Sequence, residues 1–211
     1  ENEIADATEL CDSFIDELER LGKTDGGMSG LCTGDRHLDE ATGGLHPGDY
    51  LALAGRSGSG KTTRAMNILA HYTKMGRRSL FFSMEMKRQK GMMKLVSDIG
   101  SVPFSAIKTA DLNDYQWSCA SEAIATVKKS KLHIDDSSGL SIGDIERKAR
   151  QLKAKYNGLD LIVVDYIQRL KIDSSNMYTE LTNASNRLKD LAMELGASII
   201  VIAQLKKNST G

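Results

Sequence analysis

The sequence feature that most constrains this chain is the octapeptide GRSGSGKT at residues 55–62. It fits the phosphate-binding loop pattern G-x-x-x-x-G-K-[ST] at every fixed position. Residues 50–54 before it predict a buried strand, and residues 62–75 carry an apolar stripe at helical spacing. A strand, a glycine-rich loop and a helix in this order aim backbone N–H groups and a positive helix end at phosphates. The pattern therefore predicts nucleotide binding, because an ordinary glycine-rich turn would leave the Lys-Thr pair at its end unexplained.

Strand and helix patterns alternate along the rest of the chain. Apolar runs predict strands at residues 79–84, 131–134, 159–164 and 197–203. Apolar stripes predict helices at residues 88–99, 113–129, 141–156 and 181–195. Ser141 and Asp144 form a capping box at the start of the third of these helices, and Trp117 is expected to be buried or half-buried in the second. The alternation predicts an α/β fold with a mainly parallel, doubly wound sheet.

The composition suits one α/β domain with a short appendage, since 40% of the 211 residues are hydrophobic. The 28 basic residues balance the 28 acidic ones, so any contact with nucleic acid must be local. Cys11, Cys32 and Cys119 lack metal-ligand spacing and are interpreted as reduced thiols of a cytoplasmic protein. No apolar run reaches the ~18 residues of a membrane span, and no secretory signal is visible. Because the sequence begins at Glu1, we expect a processed fragment.

The amino-terminal residues 2–21 predict an amphipathic helix. Its apolar stripe consists of Ile4, Ala7, Cys11, Phe14, Leu18 and Leu21, with acidic residues between them. Glycine-rich residues 22–30 follow, so the predicted organisation is a helix and flexible connection at 1–29 and a main domain at 30–211. Periodicity alone leaves two alternatives open for the helix: packing on its own domain, or packing on a neighbouring subunit.

The candidate nucleotide site lies at the carboxyl ends of the predicted strands, where parallel sheets bind their ligands. Lys61 is expected to bridge the β- and γ-phosphates of ATP, and the Thr62 hydroxyl to face Mg²⁺. Asp165 ends the apolar run LDLIVV, which gives the Walker B pattern, and is expected to hold the magnesium through water. The residues expected to bind the nucleotide are Gly55, Arg56, Ser57, Gly58, Ser59, Gly60, Lys61, Thr62 and Thr63.

Two further polar residues follow predicted strands. Many ATPases of this broad class have a catalytic Glu directly after the Walker B Asp, but here that position is Tyr166. Glu85, at the end of the strand SLFFSM, is therefore the candidate general base; alternatively it begins the next helix as an acid matched to the helix dipole. Gln204 ends the strand SIIVIAQ and is expected to contact the γ-phosphate or its attacking water, the alternative being a residue that faces solvent.

Basic residues at the same edge are the candidates for contact with DNA. Arg169, Lys171, Lys206 and Lys207 lie in the segments after Asp165 and Gln204. A second basic run, at residues 147–155, lies on an amphipathic helix and is interpreted as its solvated face.

From about residue 33 to 208 the chain resembles the carboxyl-terminal ATPase domain of DnaB-type replicative helicases, within the RecA-like group. The matching blocks are TG (33–34), LD (38–39), TGGLHPGD (42–49), GRSGSGKTT (55–63), AMN (65–67), SMEM (83–86), LHIDDSSGL (132–140), VDYIQ (164–168) and AQL (203–205). Together, SMEM, IDDSSGL and DYIQ are far more specific than a phosphate loop alone.

The resemblance implies that Glu85 is the catalytic glutamate, Asp165 the magnesium aspartate and Gln204 the phosphate sensor. It implies ATP hydrolysis that drives a homo-hexameric ring along single-stranded DNA and unwinds duplex. The amino-terminal helix then looks like the family's linker helix, which docks on the adjacent subunit, and primase and a helicase loader are further expected partners.

Two departures from the family pattern qualify this expectation. The loop at residues 172–177 is short, and the chain stops at Gly211, where the family continues to an arginine finger. A fragment without that segment is expected to be weakly active or inactive. The alternatives are a RecA-like recombination or regulatory ATPase that unwinds no fork, and a module that binds ATP but depends on partners.

Overall fold

The computed structural model describes residues 6–22, 28–171 and 176–205. Contacts between residues divide the chain into two compact units, Glu1–His46 and Pro47–Gly211. The boundary expected from the sequence, between residues 29 and 30, stays a prediction.

The first unit contains helices α1 (Ala7–Gly22) and α2 (Arg36–Thr42) within its described residues. Helix α1 confirms the amphipathic helix over residues 7–21, while residues 2–5 lie outside the described ranges. The side chains described for its apolar stripe are exposed: Phe14 exposes 60% of its surface and Leu18 exposes 51%. Such a stripe is suited to packing against another surface.

The segment around α2 accounts for the glycine and aspartate blocks in the sequence. Leu31 and Leu45 form an antiparallel bridge, beside which Gly30 and Gly44 approach closely. A Cβ atom on either glycine would lie 2.7 Å from the carbonyl carbon of the other, so no side chain fits there. Asp39 is buried and accepts hydrogen bonds from the backbone N–H and hydroxyl of Thr33, at 2.9 and 2.8 Å. These blocks therefore stabilise a backbone turn.

The second unit is built on a five-stranded sheet in the order β1-β5-β4-β2-β3, with every ladder parallel. Its strands are β1 (Tyr50–Gly55), β2 (Ser79–Ser83), β3 (Leu132–Asp135), β4 (Leu161–Asp165) and β5 (Ser198–Gln204). Its described helices are α3 (Lys61–Lys74), α4 (Arg88–Gly100), α5 (Phe104–Thr109), α6 (Asp114–Lys129), α7 (Ile142–Tyr156) and α8 (Met177–Leu195). The predicted parallel α/β fold is confirmed.

Helices cover both faces of this sheet. Strands β2 and β4 are buried at every position, while the edge strands β1 and β3 are mostly half-buried. One core cluster joins alternate strand residues such as Ile162 and Val201 to Ile145 of α7 and Leu188 of α8. Helices α3, α4 and α6 pack on one another, and α3 contacts the sheet, so they lie on the opposite face. The sheet is therefore doubly wound, as predicted.

The start of α7 and the surface of α6 test two local predictions. The capping box of Ser141 and Asp144 is confirmed at the start of α7. Trp117, which was expected to be buried or half-buried, is exposed on α6, with 51% of its surface accessible. Within the described ranges, no helix has both the length and the apolar character that crossing a membrane requires.

Candidate nucleotide-binding and active site

The phosphate-binding loop joins β1 to α3 at the carboxyl edge of the sheet. Gly58 and Gly60 have φ angles of +79° and +83°, which residues with a side chain rarely adopt. Gly60 is the N-cap of α3 and provides no side-chain hydrogen bond to it. The first N–H groups of α3 therefore keep their hydrogen-bonding capacity for a ligand, and the helix dipole favours an anion there.

Lys61 lies over the loop that it follows. Its Nζ donates hydrogen bonds to the carbonyl oxygens of Gly55 and Arg56, at 2.8 and 2.6 Å. The ammonium group is thereby held against the loop, and Lys61 lines the same cavity as loop residues 57–60, so a phosphate bound there would meet both the loop and the cation. Lysine suits this role because its charge is compact and carries three donors.

Asp165 is the most deeply buried acid of the site. It ends β4, exposes 1% of its surface, and its Oδ1 accepts a hydrogen bond from the Thr62 hydroxyl at 3.4 Å. Burial, together with the negative charge of Glu85, raises the pKa of Asp165 to about 6, against the opposing effects of the Thr62 hydrogen bond and the charges of Lys94 and Lys61. Its Oδ2 is buried without a hydrogen-bond partner in the described part of the chain.

These two side chains fit a magnesium ion. A buried, unpaired carboxylate oxygen is costly unless something binds it, and Mg²⁺ prefers oxygen ligands. No group of three or more His, Cys, Asp or Glu residues suited to a metal occurs among the described residues. A pair of protein oxygens, from Thr62 and Asp165, matches the way Mg²⁺ binds beside substrate phosphates, with waters completing its shell.

Glu85 lies in a tightly held turn between β2 and α4. The backbone N–H of Met84 donates to the carbonyl oxygen of Asp165 at 2.9 Å, and the Ser83 hydroxyl donates to the carbonyl oxygen of Met86 at 2.7 Å. The Glu85 side chain itself is exposed. The turn thus fixes the backbone on both sides of a carboxylate that remains accessible to water.

An ion pair anchors the far end of the same turn. Arg88 donates to the carboxylate of Asp136 from both its backbone N–H and its guanidinium. This contact lowers the pKa of Asp136 to about 2. Asp136 follows β3, so the pair ties the Glu85 turn to the neighbouring strand end.

The structure brings the predicted catalytic and metal-binding residues into one cavity of about 280 Å³. Its lining includes Lys61, Thr62, Glu85, Asp165 and Gln204, together with Ser57, Gly58, Ser59, Gly60, Thr63, Tyr166 and Ile202. Gly55 and Arg56 lie at the base of the loop and are not part of the lining. The loop after β1, the turn after β2 and the carboxyl ends of β4 and β5 therefore converge here, although they are far apart in the sequence.

Gln168 is a residue of this region to which the sequence reasoning assigned no role. It lies in the 3₁₀ turn Ile167–Arg169 after β4, and its side-chain amide makes two hydrogen bonds to the backbone of Gln204. Gln168 belongs to the DYIQ block, but a single glutamine carries no hydrophobic or charge pattern. Its contact with Gln204 could therefore not be predicted from the sequence.

The candidate DNA-binding residues are only partly within the described ranges. Arg169 is exposed, and its Nε donates to the Tyr166 hydroxyl at 2.9 Å. Lys171 is exposed at the end of the same segment. Two of the candidates, Lys206 and Lys207, lie outside the described residues. So do residues 172–175 of the loop that was expected to be short for this family.

The basic residues of α7, in contrast, are engaged within the protein. Arg147, Lys148 and Arg150 form ion pairs with Asp144, Asp135 and Glu194, respectively. Lys153 donates to the carbonyl oxygen of Leu195 at 2.7 Å, and Lys155 lies 4.9 Å from the centre of the Tyr156 ring. Lys148, Arg150 and Lys153 thus contact groups outside α7, whereas Arg147 and Lys155 contact residues of α7 itself.

The chain is similar in sequence to replicative helicases. Residues 30–211 match the family described as the DnaB-like helicase C terminal domain. The chain is 37% identical over 205 residues to the replicative DNA helicase DnaB of Buchnera aphidicola subsp. Baizongia pistaciae, an alignment that covers 95% of this chain and 44% of that protein. With DnaB of Haemophilus influenzae the identity is 34%, and the coverage is 94% and 44%. The chain thus spans less than half the length of these curated relatives.

Solved structures agree with the sequence comparison. One solved ATPase domain superimposes with a TM-score of 0.86 at 27% identity, over 97% of this chain and 73% of that one. A DnaB-like replicative helicase, described with its interactions with primase, gives a TM-score of 0.81 at 27% identity, over 97% and 49%. Together with the phosphate loop and the parallel sheet, these matches show that the chain belongs to the family of DnaB-like helicase carboxyl-terminal domains.

Proposed function

We propose that this chain is the ATP-hydrolysing motor domain of a hexameric replicative DNA helicase that moves along single-stranded DNA and unwinds duplex. The observation that carries the proposal is the single cavity lined by Lys61, Thr62, Glu85, Asp165 and Gln204. That cavity combines an anion-binding loop, a pair of metal-binding oxygens and a separate exposed carboxylate. Phosphoryl transfer to water needs these parts.

In this proposal, each residue of the cavity has a distinct role. Lys61 and the N-terminal N–H groups of α3 bind the β- and γ-phosphates of ATP. Thr62 and Asp165 hold Mg²⁺, which neutralises charge on the phosphates when it is bound. Asp165 is buried and oriented by Thr62, so it is suited to a ligand role and unsuited to collecting protons from bulk water.

Glu85 acts as the general base. It takes a proton from the attacking water while the oxygen of that water bonds to the γ-phosphorus and the bond to the bridging oxygen breaks, giving ADP and phosphate. The anchored turn at Ser83, Met84 and Met86 supports this role, because a base must be held within hydrogen-bond reach of its water. Gln204, at the opposite side of the cavity, contacts the γ-phosphate or that water.

The proposed partners follow from the exposed surfaces. Arg169 and Lys171 contact phosphates of single-stranded DNA, with Lys206 and Lys207 of the following segment. Helix α1 packs its apolar stripe on an adjacent subunit of the ring, which is supported by the exposure of Phe14 and Leu18. Primase is a proposed partner, because the DnaB-like helicase of similar fold is described with its interactions with primase.

The proposal is tested with the full-length protein. Lys61→Ala should weaken ATP binding by about 10–100-fold, since hydrogen bonds with charged groups contribute about 1.5–3 kcal/mol. Lys108→Ala, in the exposed part of α5, is the matched control. ATP-dependent unwinding of a forked duplex separates the helicase from the alternatives. ATP turnover without unwinding would favour a recombination-type ATPase, and ATP binding without DNA-stimulated turnover would favour an interaction module.

A further inference from the structure

The side chain of Gln168 is hydrogen-bonded to the backbone of Gln204. Its Nε2 donates to the carbonyl oxygen of Gln204 at 3.1 Å, and its Oε1 accepts from the N–H of Gln204 at 3.2 Å. One side-chain amide therefore satisfies both backbone groups of one residue. Replacing it with any other side chain loses at least one of these two bonds, because only an amide of this length offers a donor and an acceptor side by side.

The Gln168 side chain makes the backbone hydrogen bonds to Gln204 that β4 no longer provides at this point of the sheet. The ladder between β4 and β5 ends where Asp165 lies opposite Ile202, since the chain then leaves β4 for the 3₁₀ turn. On the other side of β5, Gln204 lies opposite Gly55, and the Leu205 N–H donates to the Gly55 carbonyl oxygen at 3.0 Å. The backbone of Gln204 is thus held between the first residue of the phosphate loop and Gln168.

Residues 166–170, which include the 3₁₀ turn, lie between the cavity and the exposed surface. Tyr166 lines the cavity, Gln168 holds Gln204, and the exposed Arg169 lies over the Tyr166 ring, 5.6 Å from its centre. Ile167 and Leu170 are buried on either side of Gln168. Because these contacts are adjacent in one turn, a ligand that binds Arg169 lies next to the side chain that holds Gln204.

We propose that Gln168 is a positioning residue that couples occupation of the segment 169–171 by single-stranded DNA to the placement of Gln204 at the γ-phosphate. This inference rests on the proposed function and names how the DNA-binding segment and the nucleotide site communicate. Gln204 is a strand end that is otherwise exposed, so its backbone position on this side depends on the Gln168 amide. DNA binding shifts the 3₁₀ turn, and the amide pair transmits the shift to Gln204.

The test measures ATP turnover of the full-length protein with and without single-stranded oligonucleotide. The variants are Gln168→Leu and Gln168→Glu, which nearly keep the side-chain volume but disrupt the amide pair. The matched control is Gln151→Leu, an exposed glutamine of α7 with one long contact to Arg147 at 3.3 Å. The decisive quantity is the ratio of stimulated to basal turnover, together with the KM for ATP and the thermal midpoint.

Both Gln168 variants should lose about 5-fold or more of the stimulation ratio, a typical size for coupling between two sites. Their KM for ATP should stay at the wild-type value, and the lost hydrogen bonds should lower the thermal midpoint by only a few degrees. Every quantity in Gln151→Leu should match the wild type. Wild-type stimulation in both variants would overturn the coupling role and leave the proposed function intact. Loss in Gln168→Leu with full stimulation in Gln168→Glu would also overturn it, because the amide pair would then be dispensable. A wild-type protein without stimulation would refute the proposed function itself, and this inference with it.

Discussion

Within the cavity, two acidic side chains differ in their surroundings. Asp165 is buried at the end of β4 and is hydrogen-bonded to Thr62, whereas Glu85 is exposed on a turn. Carboxyl groups in such different environments are suited to different tasks. The buried group suits a fixed cation, and the exposed group is accessible to water.

The division of roles predicts the behaviour of Glu85→Gln. The amide keeps the shape of the side chain and removes the base, so turnover should fall by roughly 10²–10⁴-fold while ATP binding is retained. Steady-state ATPase and equilibrium nucleotide binding of the full-length protein measure the two effects. Glu122→Gln, at an exposed position of α6, is the control and should behave as wild type. Intact turnover in Glu85→Gln would place the base elsewhere.

The raised pKa of Asp165 predicts a pH-dependent stability of the metal-free protein. The folded state binds this proton more tightly than the unfolded chain, so the stabilisation is fully present below pH 3.8 and is lost as pH rises through about 6. The side chain in Asp165→Asn does not titrate, so this variant does not lose stability over the same pH range. Its stability advantage over wild type should therefore grow between pH 4 and pH 8, by roughly 1–3 kcal/mol for a shift of this size.

Denaturant unfolding in the presence of a chelator measures this difference at both pH values. Asp190→Asn, at an exposed position of α8, controls for the general effect of removing one negative charge. An advantage of Asp165→Asn that is equal at pH 4 and pH 8 would contradict the raised pKa.

At the scale of elements, the basic residues of α7 and those after β4 have different environments. Arg150 of α7 and Arg187 of α8 both contact Glu146, whose side chain is 12% exposed, and Arg150 also bonds Glu194. These pairs connect the two helices across the face that they share. These cations of α7 and α8 are therefore engaged in ion pairs, whereas Arg169 and Lys171 are exposed after β4 at the carboxyl edge of the sheet.

This contrast predicts which segment binds DNA. In the full-length protein, replacing Arg169, Lys171, Lys206 and Lys207 with Gln should weaken binding of single-stranded DNA. The salt dependence should flatten by about 0.7 per lost phosphate contact. Replacing Arg147, Lys148 and Lys155 with Gln should change the salt slope little. The reverse ranking in a salt-titrated binding assay would place the DNA site on α7.

The elements differed in how far the sequence revealed them. Strands β2, β4 and β5 were predictable because their continuous apolar runs reflect burial on both faces. Helix α5 was not, because six residues after Pro103 are too short to show a helical period. The site residues were predictable where a backbone motif demands them, as at Lys61. The contact between Gln168 and Gln204 was not, since it depends on the path of the chain after β4.

For the whole molecule, α1 provides the predicted surface for assembly. In the full-length protein, Phe14→Asp combined with Leu18→Asp should shift the hexamer toward smaller species, because charges cannot be buried in an apolar contact without a large cost. Sedimentation velocity measures the shift, and far-UV circular dichroism checks that the ATPase domain stays folded. Thr8→Asp adds a charge outside the apolar stripe and should leave the hexamer intact. An unchanged hexamer in the double variant would mean that α1 packs within its own subunit.

The pairing of β1 with β5 has a consequence for how the protein is made. Tyr50 lies opposite Ile199, so the strand that begins the nucleotide site finds its neighbour about 150 residues later. A ribosome adds about 5–20 residues per second, so the interval between the two strands lasts roughly 7–30 s. Throughout that time the nascent phosphate loop follows a strand that lacks its hydrogen-bonding neighbour. We therefore expect the complete nucleotide site to form late in translation, once β5 has left the exit tunnel and paired with β1.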